Sequence, residues 1–188
     1  MIIGIGSKAR QGKDTAGEAI VEHFNNKRHV AQQHGYRNDK TFPEARIFKF
    51  ADFLYQVCRD EYGMKEKDTP LLQKIGNGRR LEFGENYWIN KLAAKVLTFQ
   101  GIAVITDCRY KNEVQWVKDH FGHTVCVSRL NADGTSYFAA DRDPNHPSET
   151  DLDGYNFDYY IKAKTGDAAL VSEQAITLAE YLKGLGSK

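Results

Sequence analysis

Hydrophobic positions along this chain switch repeatedly between short unbroken runs and three- or four-residue spacing. Ile2, Ile3 and Ile5 make a compact apolar run that predicts a buried strand over about residues 2–6. A polar turn, roughly 7–15, follows it. Ala16, Ala19, Ile20 and Phe24 then fall on one helical face, and the helix is expected to end near Asn25-Asn26. Residues 27–45 hold His29, His34, Gly35 and Pro43 without clear period, and read as a loop or an irregular excursion. Arg46 to Phe50 alternates as a second strand. From Ala51 to Tyr62 the spacing of Phe53, Leu54, Val57 and Cys58 is helical, and Gly63 ends it.

Asp68-Thr69-Pro70 has the form of a helix start, a cap followed by proline in the first turn. That helix carries Leu71, Leu72 and Ile75 and is expected to stop at Gly76. Another runs from about Glu85 to Phe99 with Trp88, Ile89, Leu92, Ala93, Val96 and Leu97. Ile102 to Thr106 is the clearest buried strand after the first. A helix from about Asn112 to His120, a strand from Thr124 to Ser128, a strand from Phe157 to Ile161 and a helix from about Asp167 to Leu182 complete the pattern. Strands alternating with helices predict an α/β fold with a mainly parallel five-stranded sheet, helices on both faces and right-handed crossovers. Ligands of such sheets collect beyond the C-terminal strand ends, so the 7–15 turn, Asp107 to Arg109 and Arg129 should converge.

Composition adds bounds rather than direction. A chain of 188 residues suits one domain, with hydrophobic and charged fractions of 41% and 27% ordinary for a globular protein. The net charge of +1 argues for neither a nucleic-acid nor a membrane partner. Cys58, Cys108 and Cys126 are few, odd in number and far apart, which fits a reducing cytosol better than a disulfide framework or zinc site. No signal-peptide pattern and no membrane-length apolar run is present, so a soluble cytoplasmic protein is expected.

The turn holds the strongest chemistry. Strand, glycine-containing turn and helix are the parts of a phosphate cradle, in which backbone N–H groups and a helix N-terminus face an anion. Here Lys8-Ala9-Arg10-Gln11-Gly12-Lys13-Asp14-Thr15 departs twice from the strict phosphate-loop pattern. Ser7 stands where the first glycine is expected, and Asp14 follows the lysine, with Thr15 one later. As an ATP-binding segment, the backbone N–H groups of residues 8–15 would hold a β-phosphate, and Lys13 would bridge β- and γ-phosphates. Thr15 or Asp14 would help position Mg²⁺, directly or through water.

Phosphoryl transfer needs positioning and charge neutralisation, which makes arginines the next candidates. Asp107 and Arg109 follow a buried strand; the arginine would fork onto an acceptor phosphate, and the aspartate would orient it, hold metal-bound water or meet a sugar. A structural Asp–Arg pair is the alternative. Residues 129–150 are long for a casual connection and read as a lid bringing Arg129 and Arg142 over the nucleotide. His120 and His123 flank a helix end and read as a surface turn, not a metal site.

The octapeptide from Lys8 to Thr15 resembles the cradle of phage-type deoxynucleoside monophosphate kinases, which read Lys-Arg-x-Gly-Lys-Asp-Thr or close to it. Gly-Lys-Asp also occurs in phosphomevalonate kinases of the same fold. The likeness continues at Ile47 to Asp52, at Leu72-Gln73 with Gly76, and at Tyr87-Trp88. It resumes at Ile105-Thr-Asp-Cys-Arg109 with Asn112-Glu113, and at His146 to Glu149. Together the patches span most of the chain, in family order.

The resemblance implies a P-loop kinase fold over 1–188. Its core would be 1–50 and 100–188, with an acceptor-binding helical insertion at about 51–99 and the lid at about 129–150. It implies transfer of the γ-phosphate of ATP, with Mg²⁺, to a deoxynucleoside monophosphate, giving dNDP and ADP in the cytoplasm, that of a host if the chain is phage-encoded. Asp52, Gln73, Trp88, Asp107, Arg109 and one of Arg79 and Arg80 (Arg79 foremost) would then meet the acceptor, with Lys13, Arg109, Arg129 and Arg142 catalytic. Arg79 and Arg80 also read as a solvated basic turn, and Trp88 as core. Two other readings stay open: a kinase for another small phosphorylated acceptor, such as a phosphomevalonate or coenzyme-A precursor, and a nucleotide-binding protein without transferase activity. Partners are small nucleotides, without nucleic acid or membrane; whether the chain forms a homodimer is open.

Overall fold

The computed structural model describes residues 1–36 and 41–185. Strand β1 (Ile2–Gly6) leads into helix α1 (Lys13–Gln33), followed by β2 (Ala45–Phe48), α2 (Phe50–Tyr62), α3 (Thr69–Phe83) and α4 (Tyr87–Thr98). Then come β3 (Ile102–Cys108), α5 (Lys111–Asp119), β4 (His123–Leu130), a single helical turn α6 (Pro147–Thr150), β5 (Tyr159–Lys164) and α7 (Ala168–Leu185). The five strands form one sheet in the order β2-β3-β1-β4-β5, and every pairing is parallel.

The central strands are apolar runs because helices cover both faces. On one face Ile3, Ile5, Val104, Val125 and Val127 pack against Ala16, Ile20 and Phe24 of α1 and Val171, Ala175, Ala179 and Leu182 of α7. On the other, Phe48, Ala103 and Ile105 meet Trp88, Ile89, Leu92 and Val96 of α4 and Val114 and Val117 of α5. A smaller cluster of Cys58, Leu72 and Ile75 joins α2 to α3. At Gly17 α1 lies so close to β3 that a Cβ would stand 2.2 Å from Thr106 Cγ2. No helix of the described residues is long and apolar enough to cross a membrane. The three cysteines are free.

Several boundaries differ from the sequence expectation. Helix α1 runs past Asn25-Asn26 to Gln33. The Asn25 side chain, instead of capping a helix end, exchanges two hydrogen bonds with the backbone of Ala45 (3.0 and 2.9 Å) and so ties β2 to the helix. Lys27 and His23 share Glu180 of α7, and the break comes at Gly35 with φ 83°. So the first part of the expected 27–45 loop is helical, and residues 37–40 lie outside the described residues.

Helix α3 continues through Gly76 to Phe83, because Gly76 is a packing site. It is buried against Leu54, and its carbonyl accepts the Trp88 indole N–H at 3.1 Å. Strand β5 starts two residues late and extends to Lys164, burying Ile161 and Ala163 alternately between exposed residues as an edge strand does.

Candidate active site

Helix α1 begins at Lys13 directly after the turn, with Gly12 in the left-handed region at φ 101°. Among the described residues no side chain caps its first turn. The free N–H groups of that turn and the positive end of the helix therefore face the space beyond the strand ends. Arg10 also has positive φ, 57°, so the turn coils tightly. Lys13 is 6% exposed and donates to the Ser7 carbonyl at 2.9 Å and to the Lys8 carbonyl. Burial, seconded by the positive charge of Arg109, lowers its pKa to about 7.

A cavity of about 680 Å³ opens over this turn. Its floor is Arg10 to Thr15. One end is walled by Leu54, Tyr55, Leu72, Gln73, Gly76, Asn77 and Trp88 from α2, α3 and α4, and the other by Ala163, Lys164, Gly166, Asp167 and Ala168 between β5 and α7. Arg80, Arg109, Arg129 and Arg142 also line it. The Arg142 Nε atom is buried with no hydrogen-bond partner among the described residues. A buried donor in that state is costly unless an acceptor meets it.

Asp107, at the end of β3, accepts the N–H groups of Phe50 (3.0 Å) and Ala51 (2.8 Å) at the start of α2. Burial raises its pKa, while these two bonds and Arg109 oppose the rise. Its carboxylate thus fixes α2 at the cavity wall. Asp14 pairs with Lys49 at 2.7 Å and accepts the Thr106 hydroxyl at 3.2 Å. Burial works against its ionisation, yet the bond and charge of Lys49 hold its pKa below the usual value, and Lys49 is raised in turn.

Among the described residues no three His, Cys, Asp or Glu side chains form a group able to hold a metal ion. Asp14 and Thr15, both on the cavity floor, nonetheless suit Mg²⁺, which takes one or two protein oxygens together with phosphates and waters.

The remaining sequence candidates divide. Gln73 and Trp88 line the cavity wall built by α2, α3 and α4, although Trp88 is only 2% exposed. Asp52 is exposed on α2 and does not line the cavity. Arg79 points away, bonded to Glu61, 3.6 Å from Glu82 and 5.4 Å over the Phe83 ring. Lys8 pairs with Asp153 at 2.8 Å outside the cavity, and Ala9 is buried with its N–H on Glu149. Arg10 pairs with Asp141 at 2.6 Å, and the Gln11 amide bridges the Tyr137 carbonyl and the Arg129 N–H.

Two cavity residues, Lys49 and Lys164, escaped the sequence reading, and a third, Arg80, stood there behind Arg79. Lys49 follows β2 directly. Lys164 ends β5. Arg80 reaches Glu113 at 3.1 Å and lies 4.0 Å over the Tyr110 ring. Burial raises Glu113 to a pKa of about 7, against the opposing pull of Arg80 and of the Arg109 and Tyr110 N–H groups it accepts. Strand-end position could have found the first two, and helix phase could have put Arg80 ahead of Arg79. No family model and no curated protein sequence matches this chain.

Proposed function

We propose that this protein is a P-loop-type kinase that moves the γ-phosphate of ATP onto a deoxynucleoside monophosphate, releasing dNDP and ADP. The observation that carries the reading is the single cavity in which buried Lys13 and an uncapped helix start share one space with Arg80, Arg109, Arg129 and Arg142. That much positive charge around one void, including the Arg142 Nε atom that has no partner among the described residues, suits several phosphates at once. The two ends of the cavity suit two nucleosides. One has aromatic and aliphatic walls with the Gln73 and Asn77 amides, as a flat heterocycle needs.

In this mechanism the turn N–H groups and Lys13 hold the donor phosphates, with Lys13 following charge onto the transferring group. Arg109 and Arg80 orient the acceptor phosphate in line. Arg129 and Arg142 neutralise charge from the far side, and the segment that carries Arg142 excludes water. Asp14 and Thr15 would hold Mg²⁺, which would neutralise phosphate charge when bound.

The test is ADP release measured by a coupled assay over a panel of dNMPs, NMPs, phosphomevalonate and a phosphorylated coenzyme-A precursor. Turnover with at least one dNMP above all other acceptors is expected. Turnover confined to another acceptor, or tight ATP binding with no turnover, refutes the reading.

A further inference from the structure

Four successive turn residues, Lys8 to Gln11, bond to the segment 137–153, and one of these contacts differs in kind. Lys8–Asp153 and Arg10–Asp141 are ion pairs of largely solvated side chains, and such pairs hold little. Glu149 of α6 is 8% exposed, and both its oxygens are engaged: Oε2 accepts the Ala9 N–H at 2.8 Å, and Oε1 accepts Arg109 Nη1 at 2.8 Å. Ala9 is 1% exposed. Neither Ala9 nor Glu149 lines the cavity, whereas Arg109 does. The carboxylate therefore stands behind the turn and does not occupy the anion seat. It leaves the other guanidinium donors of Arg109 for the cavity, and Glu149 is the only side-chain hydrogen-bond partner of that arginine among the described residues.

We propose that Glu149 is a positioning residue for phosphoryl transfer, holding the Arg109 guanidinium at the acceptor and fixing the donor-side turn through Ala9 in one rigid link. The proposal rests on the kinase reading. Its geometry explains why a residue on a single helical turn, 140 positions from Ala9, is buried with its charge fully matched. A buried carboxylate with two charge-assisted or backbone bonds holds its partners in one orientation, and an arginine released from it would sample several.

The test is a double-mutant cycle of Glu149→Gln and Arg109→Ala, read with the best dNMP acceptor, together with hydrogen exchange at residues 7–13. Glu149→Gln keeps size and shape, so folding is retained. It is expected to lower kcat/KM for the acceptor about tenfold while KM for ATP stays within about twofold, as befits a lost orientation and not a lost fold. Added to Arg109→Ala, it should cost less than about twofold more, because both changes remove one link. Glu149→Ala, which also frees Ala9, should speed exchange at the turn. Multiplying effects in the double mutant, or acceptor kinetics untouched by Glu149→Gln, overturn the proposal. If the unmodified protein turns over no acceptor, the kinase reading has failed by itself, and the exchange result still decides the link: unchanged turn exchange in Glu149→Ala refutes it, and faster exchange supports it.

Discussion

Lys13 offers a prediction with a defined size. Its ammonium is buried beside Arg109, and its pKa falls from the usual lysine value to about 7. At pH 8 a group with that pKa is roughly one-tenth protonated, so a triphosphate that restores full charge should draw in about 0.9 proton. At pH 6 it is already about nine-tenths protonated, and uptake should fall to about 0.1. The assay is calorimetric titration with a non-hydrolysable ATP analogue in buffers of different ionisation enthalpy, with Lys13→Met as the reference that subtracts other groups.

The same shift sets a sign for stability. The unfolded lysine binds its proton near pH 10 and the folded one near 7, so falling pH through that window favours the unfolded state. Raising pH from 7 to 9 should therefore stabilise the ligand-free protein relative to Lys13→Met, by at most about 1.4 kcal/mol per pH unit. Proton uptake that is equal at pH 6 and 8, or that survives Lys13→Met, refutes the argument.

Other substitutions test the frame around the site. Gly17→Ala drives a Cβ to 2.2 Å from Thr106 Cγ2, and urea unfolding should show a loss of about 1–3 kcal/mol; an unchanged midpoint would mean that α1 does not pack so closely on β3. Asp107→Ala strips both N–H acceptors from the start of α2, costing about 1–2 kcal/mol in the same measurement, with faster exchange at Phe50 and Ala51. Arg80→Ala should raise KM for the acceptor about tenfold or more, whereas Arg79→Ala should leave it within about twofold, because only Arg80 lines the cavity. Equal effects of the two would contradict that placement.

How far the sequence reached depends on how local each signal is. The alternating strands and helices and the parallel sheet were legible, because buried strands such as β3 carry an unbroken apolar run, there Ile102 to Ile105. The order of strand, glycine-containing turn and helix over residues 2–24 was legible from local pattern, whereas the lack of a cap on α1 was not part of that reading. Helix lengths were not, because Asn25 and Gly76 look like stop signals until their tertiary partners, Ala45 and Trp88, are known. The choice between Arg79 and Arg80 followed from that error. With α3 extended, Leu72, Gly76 and Arg80 fall at four-residue spacing on the inner face, and Arg79 falls beside Glu82 and Phe83. The contacts of Lys8 to Gln11 with residues 137–153 join positions more than 120 apart, and no local pattern announces them.

The central claim is that Lys13 and the arginines around it transfer phosphate. Its most direct test is movement of labelled γ-phosphate from ATP to a dNMP, measured side by side for the unmodified protein and Lys13→Ala, with thermal melts showing both folded. Labelled dNDP from the first and none above background from the second is the predicted result. Full transfer by Lys13→Ala, or none by the unmodified protein with any dNMP, would contradict it.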